Sequence, residues 1–116
     1  MKYIIAIIRP EKVAAVQAAL SEKEVFLMTV SDVRGCGRQR GFTEQFHGTK
    51  GIIRMLSKVK FEIAVNDEFV EPAIDAIMSA ARSEPGRIGD GKIFVLPLEE
   101  AYRIRTGETG GKAIGP

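Results

Sequence analysis

The first half of the chain alternates between apolar and amphipathic stretches that predict a strand, a helix and a second strand. Tyr3 to Ile8 is almost continuously apolar and β-branched, which is typical of a strand at the centre of a sheet. After Pro10, apolar residues recur every three or four positions and predict an amphipathic helix that ends near Lys23. Val25 to Val33 predicts the second strand, with polar residues alternating in its second half.

The second half of the chain repeats this order. Lys58 to Ile63 alternates strictly between polar and apolar residues, the pattern of a half-exposed strand. Asn66 offers a helix N-cap, and the apolar stripe from Phe69 to Ala81 predicts the helix that follows. Lys92 to Leu98 predicts a fourth strand, and the alternation over Tyr102–Arg105 indicates another extended segment.

The resulting order, β-α-β-β-α-β, is that of the split βαβ or ferredoxin-like fold of the α+β class. In this arrangement two helices cover one face of an antiparallel four-stranded sheet. The other face is left open. We therefore expect it to be covered by solvent-compatible side chains, a ligand or another subunit.

Three irregular segments interrupt this pattern. Residues 35–54 form a loop of about twenty residues between the second and third strands, against a usual length of about 4–6, and clean elements flank it. A second irregular loop spans residues 83–92. The glycine-rich end, residues 107–116, is expected to be a flexible tail.

Composition narrows the class of protein. The chain has 116 residues, 45% of them hydrophobic and 28% charged, with a net charge of +2, which suits one folded domain over residues 1–116. Its apolar runs are too short to span a bilayer. The first run, residues 4–8, is not followed by the small-residue cleavage site of a signal peptide. The single cysteine, Cys36, excludes an internal disulfide and a multi-thiolate metal site. We expect a soluble cytoplasmic protein, and the weak positive charge does not by itself favour nucleic acid.

The turn from Gly86 to Lys92 is a candidate anion site. Closely spaced glycines allow successive backbone N–H groups to converge on an anion, and the terminal lysine adds a positive charge. It is not a Walker A loop, because no Ser or Thr follows Lys92 and the next residues predict a strand. The alternative interpretation is an ordinary β-turn that enters this strand.

Arg103 and Arg105 form a second candidate anion site. On an extended segment, the side chains of residues two apart point to the same face. Two neighbouring guanidinium groups favour the binding of an anion such as phosphate. The alternative is a solvated edge strand. If these arginines acted on a phosphoryl substrate, the chain would be a small phosphohydrolase.

The long loop carries further charged and reactive groups. Cys36 and His47 could be imagined as nucleophile and base, but no third group orients them, so a structural role is favoured for both. A charged loop of this length is either solvated surface or a probe that inserts into a partner protein. Its charged residues are four basic and one acidic: Arg38, Arg40, Lys50, Arg54 and Glu44.

A single-stranded RNA-binding domain is the alternative from the nucleic-acid class. Lys92 to Leu98 looks like the shorter aromatic motif of the RNA-recognition domain, and Arg40 to Phe42 like the start of the longer one. The two motifs occur in the reverse order along the chain, and residues 43–45 lack the expected alternating aromatics.

Three motifs, each at the matching place in this topology, resemble those of the P-II nitrogen-regulatory signal-transduction family. They are Gly35–Gly41 at the start of the long loop, Ile88–Val95, and Arg103–Glu108. The resemblance extends from Met1 to about Glu108. It implies homotrimers of ferredoxin-like subunits, in which neighbouring copies would cover the open sheet face.

The resemblance also implies a nucleotide site, for ATP or ADP, in each cleft between subunits. Arg103 and Arg105 would reach the phosphates from the adjoining subunit, and Thr29 and Ala64 would contact the adenine. The remaining phosphate contacts would come from Gly37, Arg38, Gly89, Asp90, Gly91 and Lys92.

Two further residues match the family's 2-oxoglutarate site. Gln39 would ligate Mg²⁺ together with ATP and 2-oxoglutarate, and Lys58 would pair with a carboxylate of 2-oxoglutarate. The resemblance thus implies a non-enzymatic sensor of ATP/ADP and 2-oxoglutarate that acts in nitrogen or related carbon/nitrogen metabolism. Through residues 35–54 it would regulate a channel, enzyme or transcription regulator, with no nucleic acid bound and membrane contact only through a partner.

Three features depart from the family pattern: residue 51, the length of the 83–86 stretch, and an unusual loop tip formed by Phe42, Phe46 and residues 51–54. Gly51 stands where the family often has a uridylylated tyrosine, which excludes that modification there. Thr49 lies where some relatives carry a phosphorylated serine. The stretch Ser83–Gly86 is two residues longer than the usual phosphate loop, and we expect this to alter nucleotide affinity.

Overall fold

The computed structural model describes residues 1–36 and 55–115, which form four strands and three α-helices. Single turns of 3₁₀ helix, Pro10–Lys12 and Asp67–Phe69, lead into the first two helices. In chain order the elements are β1 (Lys2–Ile8), α1 (Val13–Glu22), β2 (Thr29–Cys36), β3 (Met55–Val65), α2 (Val70–Ala81), β4 (Gly91–Pro97) and α3 (Gly111–Ile114).

The strands form one antiparallel sheet in the order β2-β3-β1-β4. In the register of the sheet, Ile5 of β1 lies between Glu62 of β3 and Phe94 of β4, and Lys58 of β3 is opposite Val33 of β2. This order, with helices α1 and α2 between the strand pairs, confirms the predicted ferredoxin-like α+β fold.

The hydrophobic core lies between one face of the sheet and helices α1 and α2. Alternate residues of β1 and β3 point into it, because side chains leave a strand on opposite faces in turn. The apolar stripes of the two helices complete this layer. Its fully buried side chains include Ile4, Ala6, Ile8, Val16, Leu20, Phe61, Ile63, Ala73 and Ile77.

The opposite face of the sheet is open in the single chain. Phe94 and Leu96 of β4 are 49% and 43% exposed on it. Tyr3 donates a hydrogen bond to the Glu62 carboxylate, and Lys60 forms an ion pair with the same carboxylate at 3.3 Å. The open face therefore combines apolar side chains with a small satisfied polar cluster.

The second strand begins later than the sequence predicted. Val25 is buried in the core, and its N–H donates to the Leu20 carbonyl at 3.0 Å. It therefore belongs to the turn that follows α1 and does not start a strand. The strand starts at Thr29 and continues to Cys36. The polar C-terminal end of β2 adopts strand conformation because it pairs with β3. The strand β3 is itself longer than the predicted Lys58–Ile63 segment. Residues 37–54 of the long loop lie outside the described residues.

The C-terminal segment also differs from the prediction. Tyr102 makes one bridge to Thr109, and the chain then turns, with the Gly107 N–H donating to the Arg103 carbonyl at 2.8 Å. Arg103 and Arg105 therefore do not lie on an extended strand. The glycine-rich end is a short helix, α3, where we expected a loose tail, since contacts with the rest of the fold hold it in place.

Over the two described ranges, no helix combines the length and apolar character needed to span a bilayer.

Candidate functional site

A cationic groove of about 540 Å³ opens where β2 and β3 approach the residue 83–91 loop. Ile7 and Phe94 supply apolar surface from the open face of the sheet, and the side chains of Arg9, Lys58 and Lys92 line the groove around them. Among the described residues that line it there is no carboxylate. This charge and shape suit an anionic ligand with a flat apolar part.

Asp90 organises the loop beside this groove. Its carboxylate accepts hydrogen bonds from the Ser83 hydroxyl at 2.7 Å and from the Ser83 N–H, the Arg87 N–H and the Arg9 Nε–H, each at 3.0 Å. Ser83 is only 3% exposed. These donors, the Arg87 N–H first and then those of Ser83 and Arg9, hold the pKa of Asp90 well below its ordinary value. The carboxylate is therefore ionised and fully engaged within the loop.

Two glycines let the loop pass closely over the end of β1. Gly89 and Gly91 have φ of +95° and +115°, a region that other residues rarely adopt. A Cβ at Gly91 would lie 1.8 Å from the Ile7 carbonyl oxygen. The Asp90 N–H donates to the Arg87 carbonyl at 3.1 Å, which closes a turn directly before β4. The glycine-spaced motif is thus a turn followed by a strand, and not a Walker A loop.

Two cations connect the sheet to this loop. The Lys58 ammonium donates to the Gly89 carbonyl at 2.6 Å, and Arg9 Nη2 donates to the Ile88 carbonyl at 2.7 Å. Arg9 was not among the predicted site residues. Its position was the signal available in the sequence. A cation directly after the apolar β1 lies at the end of the sheet where Lys58 and Lys92 also lie.

The structure brings together only part of the predicted site. Gly89, Gly91 and Lys92 meet Lys58 in the cationic groove. Thr29 pairs with Glu62 and Ala64 pairs with Tyr3, on the same open face of the sheet but further along the strands. Ala64 instead borders a small apolar pocket of about 40 Å³ near Ile114.

The predicted arginine pair does not reach the groove of its own chain. Arg103 donates from Nε and Nη2 to the Ala113 carbonyl, at 3.3 and 3.2 Å, and its Nε lies 3.9 Å from the Glu108 carboxylate. Arg105 is exposed in the turn that follows. Within one chain, then, these two cations are separate from Lys92.

Several predicted residues lie outside the described ranges. They include the nucleotide-site residues Gly37 and Arg38 and the metal ligand Gln39. His47 is also outside, so its pairing with the exposed Cys36 is not described. Within residues 1–36 and 55–115, no three His, Cys, Asp or Glu side chains gather in a way that could hold a metal ion.

Comparison with known proteins places these features in a family. The family model for nitrogen regulatory protein P-II matches residues 1–108. The chain is 53% identical over 114 residues to nitrogen regulatory protein GlnK1 of Methanosarcina mazei, which covers 98% of this chain and 97% of that protein. It is 52% identical to nitrogen regulatory protein P-II of Azospirillum brasilense and 53% identical to that of Bradyrhizobium diazoefficiens, each over 98% of this chain and the whole of the relative.

Proposed function

Because the chain belongs to the P-II family of nitrogen regulatory signal-transduction proteins, we propose that it senses adenine nucleotide and 2-oxoglutarate and regulates a partner protein through residues 35–54. The observation that carries this proposal is the cationic groove, where Arg9, Lys58 and Lys92 surround one cavity beside a turn built on two positive-φ glycines. It would act as a sensor in the cytoplasm and not as an enzyme.

The groove fits the polyphosphate of ATP or ADP. Lys92 offers a point charge, and Gly89 and Gly91, which have no side chains, place backbone beside the cavity. Asp90 would act by holding this turn, because its carboxylate already accepts four hydrogen bonds and would repel phosphate. Gly37 and Arg38, at the base of the long loop, would add phosphate contacts.

A homotrimer would complete this site. Phe94 and Leu96 are exposed on the open face of the sheet, and a second copy would remove them from water. Since Arg103 and Arg105 do not reach the groove of their own chain, they would bind phosphate in the neighbouring subunit's groove. Thr29 and Ala64 would contact the adenine. The proposed nucleotide contacts thus come from two neighbouring subunits.

The Lys58 side chain supports a 2-oxoglutarate site in the same groove. The Lys58 ammonium projects into the groove and is held by a neutral carbonyl, Gly89, which a carboxylate ligand would outcompete electrostatically. Gln39 would supply a carboxamide oxygen to Mg²⁺, a hard cation that prefers oxygen ligands and substrate phosphates. Because the metal would be shared with ATP, 2-oxoglutarate binding would require nucleotide.

Regulation would follow from the position of these ligands at the root of the long loop. β2 ends at Cys36 and β3 begins at Met55, and both strand ends lie beside the groove. A ligand that binds one loop conformation more tightly by a few kcal/mol shifts the population toward it. A partner protein that recognises the other conformation would then be released.

The nucleotide site is tested by Lys92→Ala. We expect ATP affinity, measured by calorimetry on the full chain, to weaken roughly 10- to 100-fold, the scale of one charge-assisted contact of about 1.5–3 kcal/mol. Lys23→Ala, an exposed lysine at the end of α1, is the matched control and should leave affinity unchanged. Unchanged ATP affinity in Lys92→Ala would refute the assignment.

The effector site is tested by calorimetry with 2-oxoglutarate. Binding is expected only when Mg²⁺ and ATP are both present, and it should be lost in Gln39→Ala while ATP still binds. Equal affinity for 2-oxoglutarate without nucleotide would contradict the proposed ternary site.

The two alternatives from the sequence predict different behaviour of the same protein. An RNA-binding domain would show salt-dependent retention of single-stranded RNA on filters. A phosphohydrolase would release phosphate steadily from ATP or an acyl phosphate.

A further inference from the structure

Asn66 has an unexpected role. It occupies the N-cap position of the 3₁₀ turn Asp67–Phe69, yet its side chain makes no capping hydrogen bond. We infer that Asn66 is a positioning residue, which anchors helix α3 so that the Ala113 carbonyl orients the Arg103 guanidinium for a nucleotide phosphate. The inference rests on the proposed nucleotide site and adds to it a residue from the opposite end of β3.

The Asn66 amide holds both ends of α3. Its Nδ2 donates to the Gly111 carbonyl at 3.2 Å and to the Gly115 carbonyl at 3.0 Å. Gly111 is the first residue of the helix and Gly115 the residue directly after it. An isolated four-residue helix is not stable in water, so contacts of this kind determine whether it forms.

The fit between Asn66 and α3 is close. A Cβ added at Gly111 would lie 2.8 Å from Asn66 Oδ1 and within 3.6 Å of the other two atoms of the amide group. Gly111 does not have a positive φ, so the reason for glycine here is space and not backbone conformation. A side chain at this position would push the two groups apart.

The anchored helix in turn holds Arg103. The Ala113 carbonyl accepts from Arg103 Nε at 3.3 Å and Nη2 at 3.2 Å. The backbone of Arg103 is fixed as well, because its N–H donates to the Glu108 carbonyl and its own carbonyl accepts from Gly107, both at 2.8 Å. Asn66, α3 and Arg103 thus form one chain of contacts.

This arrangement leaves Arg103 prepared for an anion. The guanidinium has five N–H donors in a rigid plane. The Ala113 carbonyl occupies its Nε–Nη2 edge, and the Glu108 carboxylate lies 3.9 Å from Nε. The Nη1 hydrogens and the second Nη2 hydrogen remain for a phosphate oxygen. A guanidinium that is already oriented loses less side-chain entropy on binding than a free one.

The test uses the full-length protein and calorimetry with ATP. Asn66→Asp preserves the shape of the side chain but replaces its N–H donors with an oxygen, which repels both carbonyls. We expect ATP affinity to fall about 3- to 10-fold, the scale of a lost hydrogen-bond contact. Gly111→Ala should act in the same direction from the other side of the contact. Lys112→Ala, an exposed residue of α3, is the control and should have no effect.

A double-mutant cycle with Arg103→Ala separates positioning from a general structural effect. If Asn66 acts through Arg103, Asn66→Asp costs no further ATP affinity in the Arg103→Ala background. Amide exchange at Ala113 and Gly115 should be faster in Asn66→Asp, with the unfolding midpoint of the protein little changed.

Two results would overturn the inference while leaving the nucleotide site intact. One is wild-type ATP affinity in both Asn66→Asp and Gly111→Ala when Arg103→Ala weakens binding. The other is full additivity in the cycle. Wild-type protein that binds no adenine nucleotide would instead refute the proposed function, and the inference with it.

Discussion

Two irregular segments of this fold are held in place by different chemistry. The 83–91 loop is organised by an ionised carboxylate, Asp90, which gathers four donors from Ser83, Arg87 and Arg9. In the C-terminal segment, residues 101–115, the acceptors are mainly neutral backbone carbonyls, to which the Asn66 amide, backbone N–H groups and the Arg103 guanidinium donate. Both segments carry groups that we assign to the nucleotide site, one on each side of a subunit boundary.

The difference shows how a short chain can fix loops without a larger core. A carboxylate organises many donors at once, but its contribution depends on its charge and therefore on pH. Neutral hydrogen bonds are individually weaker and do not titrate. The two segments should therefore respond differently to substitution, acid and salt, in ways that can be measured.

The largest effect is expected where the 83–91 loop crosses β1. Gly91→Ala would place a Cβ 1.8 Å from the Ile7 carbonyl oxygen at a φ of +115°. We expect a loss of about 2–5 kcal/mol in unfolding free energy, or failure to fold, measured by urea denaturation.

Gly107→Ala is the matched control in the C-terminal segment. Gly107 also has a positive φ, +76°, but nothing lies within 4 Å of the added Cβ. Its loss should be confined to about 1–2 kcal/mol of backbone strain. Equal losses in the two variants would show that the close approach of the loop to β1 does not matter.

A second prediction concerns acid. Because the pKa of Asp90 is lower in the folded protein than in the unfolded chain, ionisation of this group favours folding. That contribution is present above the ordinary value of about 4 and is lost as pH falls through the lower folded value. We expect Asp90→Asn to be destabilised at pH 7 and to lose less stability than wild type between pH 7 and pH 3 in urea denaturation.

Asp75→Asn, which changes an exposed carboxylate of α2, provides the comparison for this experiment. It should retain the acid sensitivity of the wild type. The same acid sensitivity in Asp90→Asn would mean that other carboxylates account for it, such as Glu62 and Asp67, whose pKa values are also lowered.

The smallest effect is expected for the ion pair of the C-terminal segment. Arg103 and Glu108 are 3.9 Å apart, with side chains 34% and 44% exposed, and such pairs contribute little. Glu108→Gln should change the unfolding free energy by less than about 0.5 kcal/mol at low or high salt. A larger or strongly salt-dependent change would show that charge holds this segment too.

Local periodicity carried most of the fold prediction. The alternation of β3 and the apolar stripe of α2 are both reproduced, because each reflects a face that must be buried. The predicted start of β2 was wrong, because Val25 is buried in the core but does not belong to a strand. The end of β2 depends on its pairing with β3, which the periodicity of β2 does not reveal.

The site was predicted in part. Gly89, Gly91 and Lys92 belong to a compact motif, so they could be found from the sequence, and Lys58 came from the family resemblance. Arg9 and Asn66 were not identified as site residues. Their partners are far away in sequence, with Arg9 contacting Asp90 and Asn66 contacting Gly111.

The sequence alone determined the order of elements and the family, because hydrophobic period and short motifs are properties of neighbouring residues. The tertiary structure decided which polar groups meet. Those contacts join Arg9 to a loop 81 residues away and Asn66 to a helix 45 residues away. Residues this far apart in sequence are brought together only by strand order and register. A single side chain contains no information about either.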